Sequence, residues 1–138
     1  MLRKRNNLPL TSVLRICDNI PVKVEIRYYI AGNGKAPFIE WLERLKDRAA
    51  RAKIKVRIDR LMRGLFGDTK SLGHGVEELR IHYGPGYRVY YGRISGTLLI
   101  LLCGGAKGSQ KRDIDRAKGY WSEYMEACHE KGEEKDER

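Results

Sequence analysis

Apolar and polar residues alternate over residues 22–29, where Val22, Val24, Ile26 and Tyr28 are interleaved with Lys23, Glu25, Arg27 and Tyr29. A period of two is the signature of a half-buried strand, and Gly32-Asn33-Gly34 ends it. The period then lengthens. Phe38, Trp41, Leu42 and Leu45 fall at i, i+3, i+4 and i+7, the apolar stripe of a helix over 36–46. Ile54, Ile58, Leu61, Met62 and Leu65 predict a second helix over 49–66, and the short connection at Asp47 and Arg48 predicts an antiparallel helical hairpin. Residues 68–75 read as a loop. Three strand-like runs follow, over 76–83, 87–94 and 97–103, separated by Gly84-Pro85-Gly86 and by Ser95-Gly96. The last run is apolar on both faces, which predicts a central strand covered by helices. A final helix is predicted over 109–128, with Ile114, Ala117, Trp121, Tyr124 or Met125, and Cys128 as its buried stripe.

This order of elements predicts an α+β domain: an antiparallel sheet of about four strands with an N-terminal helical hairpin and a C-terminal helix. The domain spans 22–128. Residues 1–21 lack periodicity, contain Asn6, Asn7, Pro9 and Pro21, and read as an N-terminal extension, disordered in expectation. Residues 129–138 read as a charged, disordered C-terminal tail.

Charge sharpens this picture. The formal net charge of the 138 residues is +10. The last ten residues hold five acids and three bases, so residues 1–128 carry a net of +12. Such a body favours a polyanionic partner, because phosphate contacts supply most non-specific nucleic-acid affinity; the same charge also serves plain solubility. Cys17, Cys103 and Cys128 are odd in number and show no CxxC spacing, which argues against a disulfide framework and a zinc site and points to the cytoplasm. The longest apolar run, Leu98 to Cys103, is far short of a membrane span. The Leu-Arg-Lys-Arg start suggests a signal peptide, but Arg15 and Asp18 break its apolar region.

The candidate chemistry lies on the middle strands. By alternation, Glu78, Arg80 and His82 share one face of the first strand of the hairpin, and Arg88 and Tyr90 share one face of the second. Pairing would gather Arg80, His82, Arg88 and Tyr90 on an exposed face, with Lys107 closing its edge. That set suits RNA cleavage by its own 2′-hydroxyl, a reaction that needs a base, an acid and cations for the phosphorane, and no metal or cofactor. His82 is the proton-transfer candidate, Arg80 and Arg88 hold the phosphate, and Tyr90 stacks on a base or donates a proton. The same residues would equally form a solvated sheet face with ordinary cross-strand pairs. Gly104-Gly105-Ala106-Lys107-Gly108-Ser109 lacks P-loop spacing and reads as a turn, with a phosphate site at the helix start as the other option. Arg51, Lys55, Arg57 and Arg60 on the second helix, with Lys111 and Arg112 on the last, form a basic surface for RNA, for an acidic partner segment, or for solvent alone. Trp41 and Trp121 fall on apolar stripes and read as core; His74 and His129 read as surface.

Together these segments resemble the RelE/ParE superfamily of type II toxins, and more narrowly the HigB-like addiction module killer proteins. The resemblance runs over about residues 22–122. It is carried by Phe38-Ile39-Glu40-Trp41-Leu42, Arg57-Ile58-Asp59-Arg60-Leu61, Leu72-Gly73-His74-Gly75-Val76-Glu77-Glu78-Leu79-Arg80-Ile81, Gly84-Pro85-Gly86-Tyr87-Arg88-Val89-Tyr90-Tyr91 and Leu101-Leu102-Cys103-Gly104-Gly105 with Lys107. It implies a RelE-like fold and a cytoplasmic bacterial or phage toxin. It also implies a co-encoded antitoxin of helix-turn-helix type, with operator DNA contacted only through that antitoxin. RelE and HigB members cleave mRNA on the ribosome, whereas ParE members inhibit DNA gyrase; a decayed module would keep only antitoxin binding. Arg88 matches a functional arginine of the nucleases, Arg80 an often basic strand position, and Lys107 the basic residue after the last strand. Glu78 stands where a second lysine is expected, and no tyrosine follows Lys107 at the proton-transfer position.

Overall fold

The computed structural model describes residues 23–136, with side chains to His129. The expected extension at 1–21 lies outside the described residues. The elements are β1 (Glu25–Tyr28), α1 (Pro37–Arg44), α2 (Arg48–Met62), β2 (Thr69–Gly73), β3 (Val76–Ile81), β4 (Tyr87–Ser95), β5 (Leu98–Ala106), a single 3-10 turn (Lys107–Ser109) and α3 (Gln110–Asp136). The class is α+β, as the pattern implies. The sheet, however, has five strands in the order β1-β5-β4-β3-β2 and is mixed, with β1 parallel to β5 and the other neighbours antiparallel.

Two corrections follow from that sheet. The expected loop at 68–75 contains β2, a strand without apolar alternation whose side chains are mostly exposed. Backbone pairing to β3 holds it, and His74 and Gly75, both at positive φ (59° and 87°), turn the chain as a type I′ hairpin demands. The parallel β1–β5 pairing arises because the helical hairpin carries the chain over the sheet before the meander returns beside β1.

The helices begin close to expectation. Pro37 starts α1, where its missing N–H is no loss. Asp47 caps α2, its carboxylate accepting from Ala49 N at 2.9 Å and Ala50 N at 3.2 Å. The buried stripe of α2 is Ala50, Ile54 and Leu61. Met62 and Leu65, expected inside, are exposed, because α2 ends at Met62 and the chain then swings away. The last helix runs on to Asp136, through most of the expected disordered tail, and among its described side chains only those of Asp113, Ala117 and Trp121 are buried. Met125 and Cys128 are exposed, since the helix has by then passed beyond the sheet's cover.

The sheet separates two cores. On one face α1 and α2 pack Phe38, Leu42, Ala50, Ile54 and Leu61 against Leu79, Val89, Tyr91, Leu99 and Leu101. On the other, α3 packs Ala117 and Trp121 against Val76, Tyr90, Ile100, Leu102 and Cys103. β5 is therefore buried on both faces, as its continuous apolar run predicts. Glycines let the helices approach. A Cβ on Gly92 would stand 2.1 Å from the Trp121 ring, and one on Gly104 2.4 Å from the Trp41 ring. Among the described residues no helix is long and apolar enough to cross a membrane.

This packing makes a direct prediction. Gly92→Ala forces Trp121 off the sheet and should destabilise the protein by about 1–3 kcal/mol, the usual range for overpacking. Gly96→Ala, with nothing within 4 Å of the added methyl, should stay within about 0.5 kcal/mol. Urea midpoints of the two variants measure this; equal midpoints would mean that Trp121 does not rest on β4.

Candidate functional site

The site forms where the β3–β4 hairpin turns beside the end of β5. The register pairs Glu78 with Tyr90, Arg80 with Arg88 and Arg88 with Gly105. All the paired side chains of this face point toward the α3 layer. Glu78 is fully buried there. Its carboxylate accepts from Arg88 Nη1 at 2.7 Å, Arg80 Nε at 3.0 Å and Gln110 Nε2 at 3.1 Å. Burial alone would raise the Glu78 pKa. The hydrogen bonds from Arg80, Arg88 and Gln110 and the Arg88 charge outweigh it and hold the carboxyl below its ordinary range.

The turn places the remaining groups. Gly84 and Gly86 adopt positive φ, and the Lys107 amide donates to Gly86 O at 2.9 Å, which draws the start of the 3-10 turn against the hairpin tip. Gly105 has no room for a side chain, because Asp113 fills the space a Cβ would take. Ser109 donates to that same Asp113 carboxylate, tying the 3-10 turn to the first turn of α3. The result is an open hollow of about 340 Å3 whose lining includes Arg80, His82, Tyr83, Arg88 and Lys107.

His82 lies just beyond β3, its side chain three-quarters exposed, and its Nε2 bonds Asp68 Oδ2. Asp68 in turn accepts the Arg80 amide at its carbonyl, 3.0 Å away, as β2 begins. The bond from His82 is the main reason that the Asp68 carboxyl is held below its ordinary pKa. In a neutral ring that donates Nε2–H to Asp68, the lone pair lies on Nδ1, on the side away from Asp68. Asp68 escaped the sequence reading because 68–75 looked like a loop. Its signal is strand pairing, which sets Asp68 beside Arg80.

Four of the five proposed catalytic residues thus meet: Arg80, His82, Arg88 and Lys107. Tyr90 does not. It is wholly buried under α3, its hydroxyl has no hydrogen-bond partner among the described residues, and burial drives its pKa well above the ordinary value. It can neither stack on a base nor exchange a proton with solvent. The face itself is also a correction: α3 covers its Glu78–Tyr90 part, and only the arginine ends emerge.

The expected RNA-binding set divides in the same way. Arg57 donates to Arg80 O at 2.6 Å and Phe66 O at 3.3 Å, and burial lowers its pKa; it braces α2 against β3. Arg51 caps the end of α1 through Leu45 O. These two arginines hold the fold together and do not form a free basic face. Lys55, Arg60, Lys111 and Arg112 are exposed and make no ion pair among the described residues. Arg60 and Lys53 flank a groove of about 420 Å3 that runs along α2 to His82 and Tyr83, with Lys53 Nζ 5.1 Å from the Tyr83 ring centre. The basic surface of α2 therefore leads into the hollow. Trp121 is core, whereas Trp41 is half-buried against the Tyr87 ring.

The chain matches no known protein-family model. An uncharacterized protein of Haemophilus influenzae is 54% identical to it over 81 residues, which are 59% of this chain and 82% of that protein. The chain belongs to the same family as that protein.

Glu78→Gln tests the core of the site. It removes the charge that faces both arginines and should destabilise the protein by about 1–3 kcal/mol at pH 7. Because the folded-state pKa of Glu78 is depressed, its contribution is complete above the ordinary value of 4.5 and is lost as pH falls through the folded value. Urea unfolding at pH 7 and at pH 3.5 should show the gap between wild type and Glu78→Gln narrowing in acid. A gap of the same size at both would show that the charge of Glu78 stabilises nothing.

Proposed function

We propose that this protein is the toxin of a cytoplasmic type II toxin–antitoxin pair and that it cleaves mRNA on the ribosome without a metal. The observation that supports this most is the convergence of Arg80, Arg88, His82 and Lys107 on one open hollow. In this reading the scissile phosphate sits on the free N–H groups of Arg80 and Arg88. His82 Nδ1 takes the proton of the 2′-hydroxyl, and the 2′-oxygen attacks phosphorus. The bond from phosphorus to the 5′-oxygen breaks, and that oxygen takes a proton from the Lys107 ammonium. The products are a 2′,3′-cyclic phosphate and a 5′-hydroxyl. Asp68 holds the His82 ring, so it is a positioning residue. RNA reaches the hollow along the α2 groove past Arg60 and Lys53. The partner is a co-encoded antitoxin, of helix-turn-helix type by the family resemblance, through which alone operator DNA is contacted.

The test is mRNA cleavage in a translating extract, with and without ribosomes. Arg88→Ala should lower the rate roughly 100-fold to 1000-fold, the usual effect of losing one donor to a developing oxyanion. That variant also strips Glu78 of a donor, so Arg88→Lys, which keeps a cation against the carboxylate, separates loss of fold from loss of chemistry. His82→Ala should reduce cleavage as severely, and Asp68→Asn should shift its pH profile. Wild-type-like cleavage by Arg88→Ala removes the hollow as the active site. A wild-type protein that leaves mRNA intact and blocks DNA supercoiling by gyrase is a gyrase inhibitor instead.

A further inference from the structure

Beyond Lys107 a second hollow, of about 320 Å3, opens between α1, the end of β5 and the start of α3. Arg44, Arg112 and Arg116 line it, together with Trp41 and Tyr120. Its base is backbone, since neither Gly104 nor Gly105 has room for a side chain beside Trp41 and Asp113. Two acids, Glu40 and Asp113, also line it, and both are already engaged. Asp113 accepts from Ser109 and pairs with Arg116 at 3.5 Å, and Glu40 pairs with Lys35 at 3.8 Å and with Arg44 at 4.0 Å. Arg112 has no such partner among the described residues and stands in the first turn of α3, where the helix dipole adds positive potential.

This hollow adjoins the first. Ala106, which lines the second, is the cross-strand partner of Tyr87, which lines the first. The Trp41 ring lies 6.3 Å from the Tyr87 ring, so a single layer of side chains separates the two. A cationic groove with aromatic walls that continues from one phosphate site to the next is how single-stranded nucleic acid is held. An acidic peptide would use the arginines but leave the aromatic wall idle.

We propose that the second hollow binds the nucleotide adjacent to the scissile phosphate of a single-stranded RNA, with Arg112 and Arg44 on a phosphate and Trp41 and Tyr120 beside the base. This rests on the nuclease reading only for the identity of the neighbouring site; binding itself is measured apart from cleavage.

The experiment is fluorescence anisotropy of the full chain with a 5′-fluorescein-labelled single-stranded RNA of about ten nucleotides over a salt series, a length that spans a typical single-strand site. Each phosphate contact on a single strand contributes about 0.7 to the slope of log affinity against log salt. Arg112→Ala should therefore lower the slope by about 0.7 and weaken binding about fivefold at 0.1 M salt. Arg44→Ala in addition should weaken binding further without another full 0.7 in slope, because the two arginines share one phosphate. The same substitutions should raise the mRNA concentration needed for half-maximal cleavage in the extract. Wild-type cleavage with RNA binding indifferent to Arg44 and Arg112 overturns this proposal and leaves the nuclease reading standing. Binding sensitive to Arg112 in a protein that cleaves nothing supports the proposal and removes the nuclease. Polyglutamate bound as tightly, with the same dependence on Arg112, would make the hollow a general anion site and overturn it.

Discussion

Glu78 has no access to water, and a carboxylate so placed is tolerable only when donors surround it. Three do, and each belongs to a different part of the site: Arg80 on β3, Arg88 on β4 and Gln110 at the start of α3. One buried charge thus fixes the two arginines relative to each other and fixes the helix that roofs them. Removing either arginine disturbs more than a surface patch, because it leaves the charge under-satisfied.

The backbone reaches this arrangement through close approach. Gly92, Gly104 and Gly105 sit on β4 and β5 where Trp121, Trp41 and Asp113 press onto the sheet. Without side chains at these positions, α1 and α3 settle on opposite faces of the same strand end. The 3-10 turn between β5 and α3 is then pinned twice, by the Lys107 amide on Gly86 and by Ser109 on Asp113. Lys107 itself stays exposed at the rim.

Much of this could be read from residue order. The strand-like runs located β3, β4 and β5, and alternation put Arg80 and Arg88 on one face, since a single step of register would have turned one of them to the other. The stripe Ile54–Ile58–Leu61 located α2, though not its end. What escaped the pattern has physical causes. β2 has no apolar face, so its pairing leaves no periodic trace, and with it went Asp68 and the orientation of His82. Alternation assigns Tyr90 to the arginine face correctly but does not say that α3 covers that part of it. Arg51 and Arg57 look like surface charge in any helical wheel; only the tertiary structure shows carbonyl oxygens at their ends.

The way the arginines are held decides what they can still do. Arg80 gives Glu78 its Nε–H, and Arg88 gives one Nη1–H. A guanidinium carries five N–H groups, so each arginine keeps four. Arg88 is the more buried of the two, with 14% of its side chain exposed against 31% for Arg80. A carboxylate at the surface would compete with a phosphate for those donors. Glu78 lies beneath them and cannot follow a ligand outward, so it orients the cations without blocking their outer edge. This also gives a reason for an acid where a second lysine would be expected from the toxin resemblance. A lysine at 78 would add charge but leave Arg80 and Arg88 repelling each other across the ladder. A buried glutamate offsets that repulsion and holds both guanidiniums on one carboxylate oxygen, the kind of preorganised charge that the proposed cleavage would use on a phosphorane.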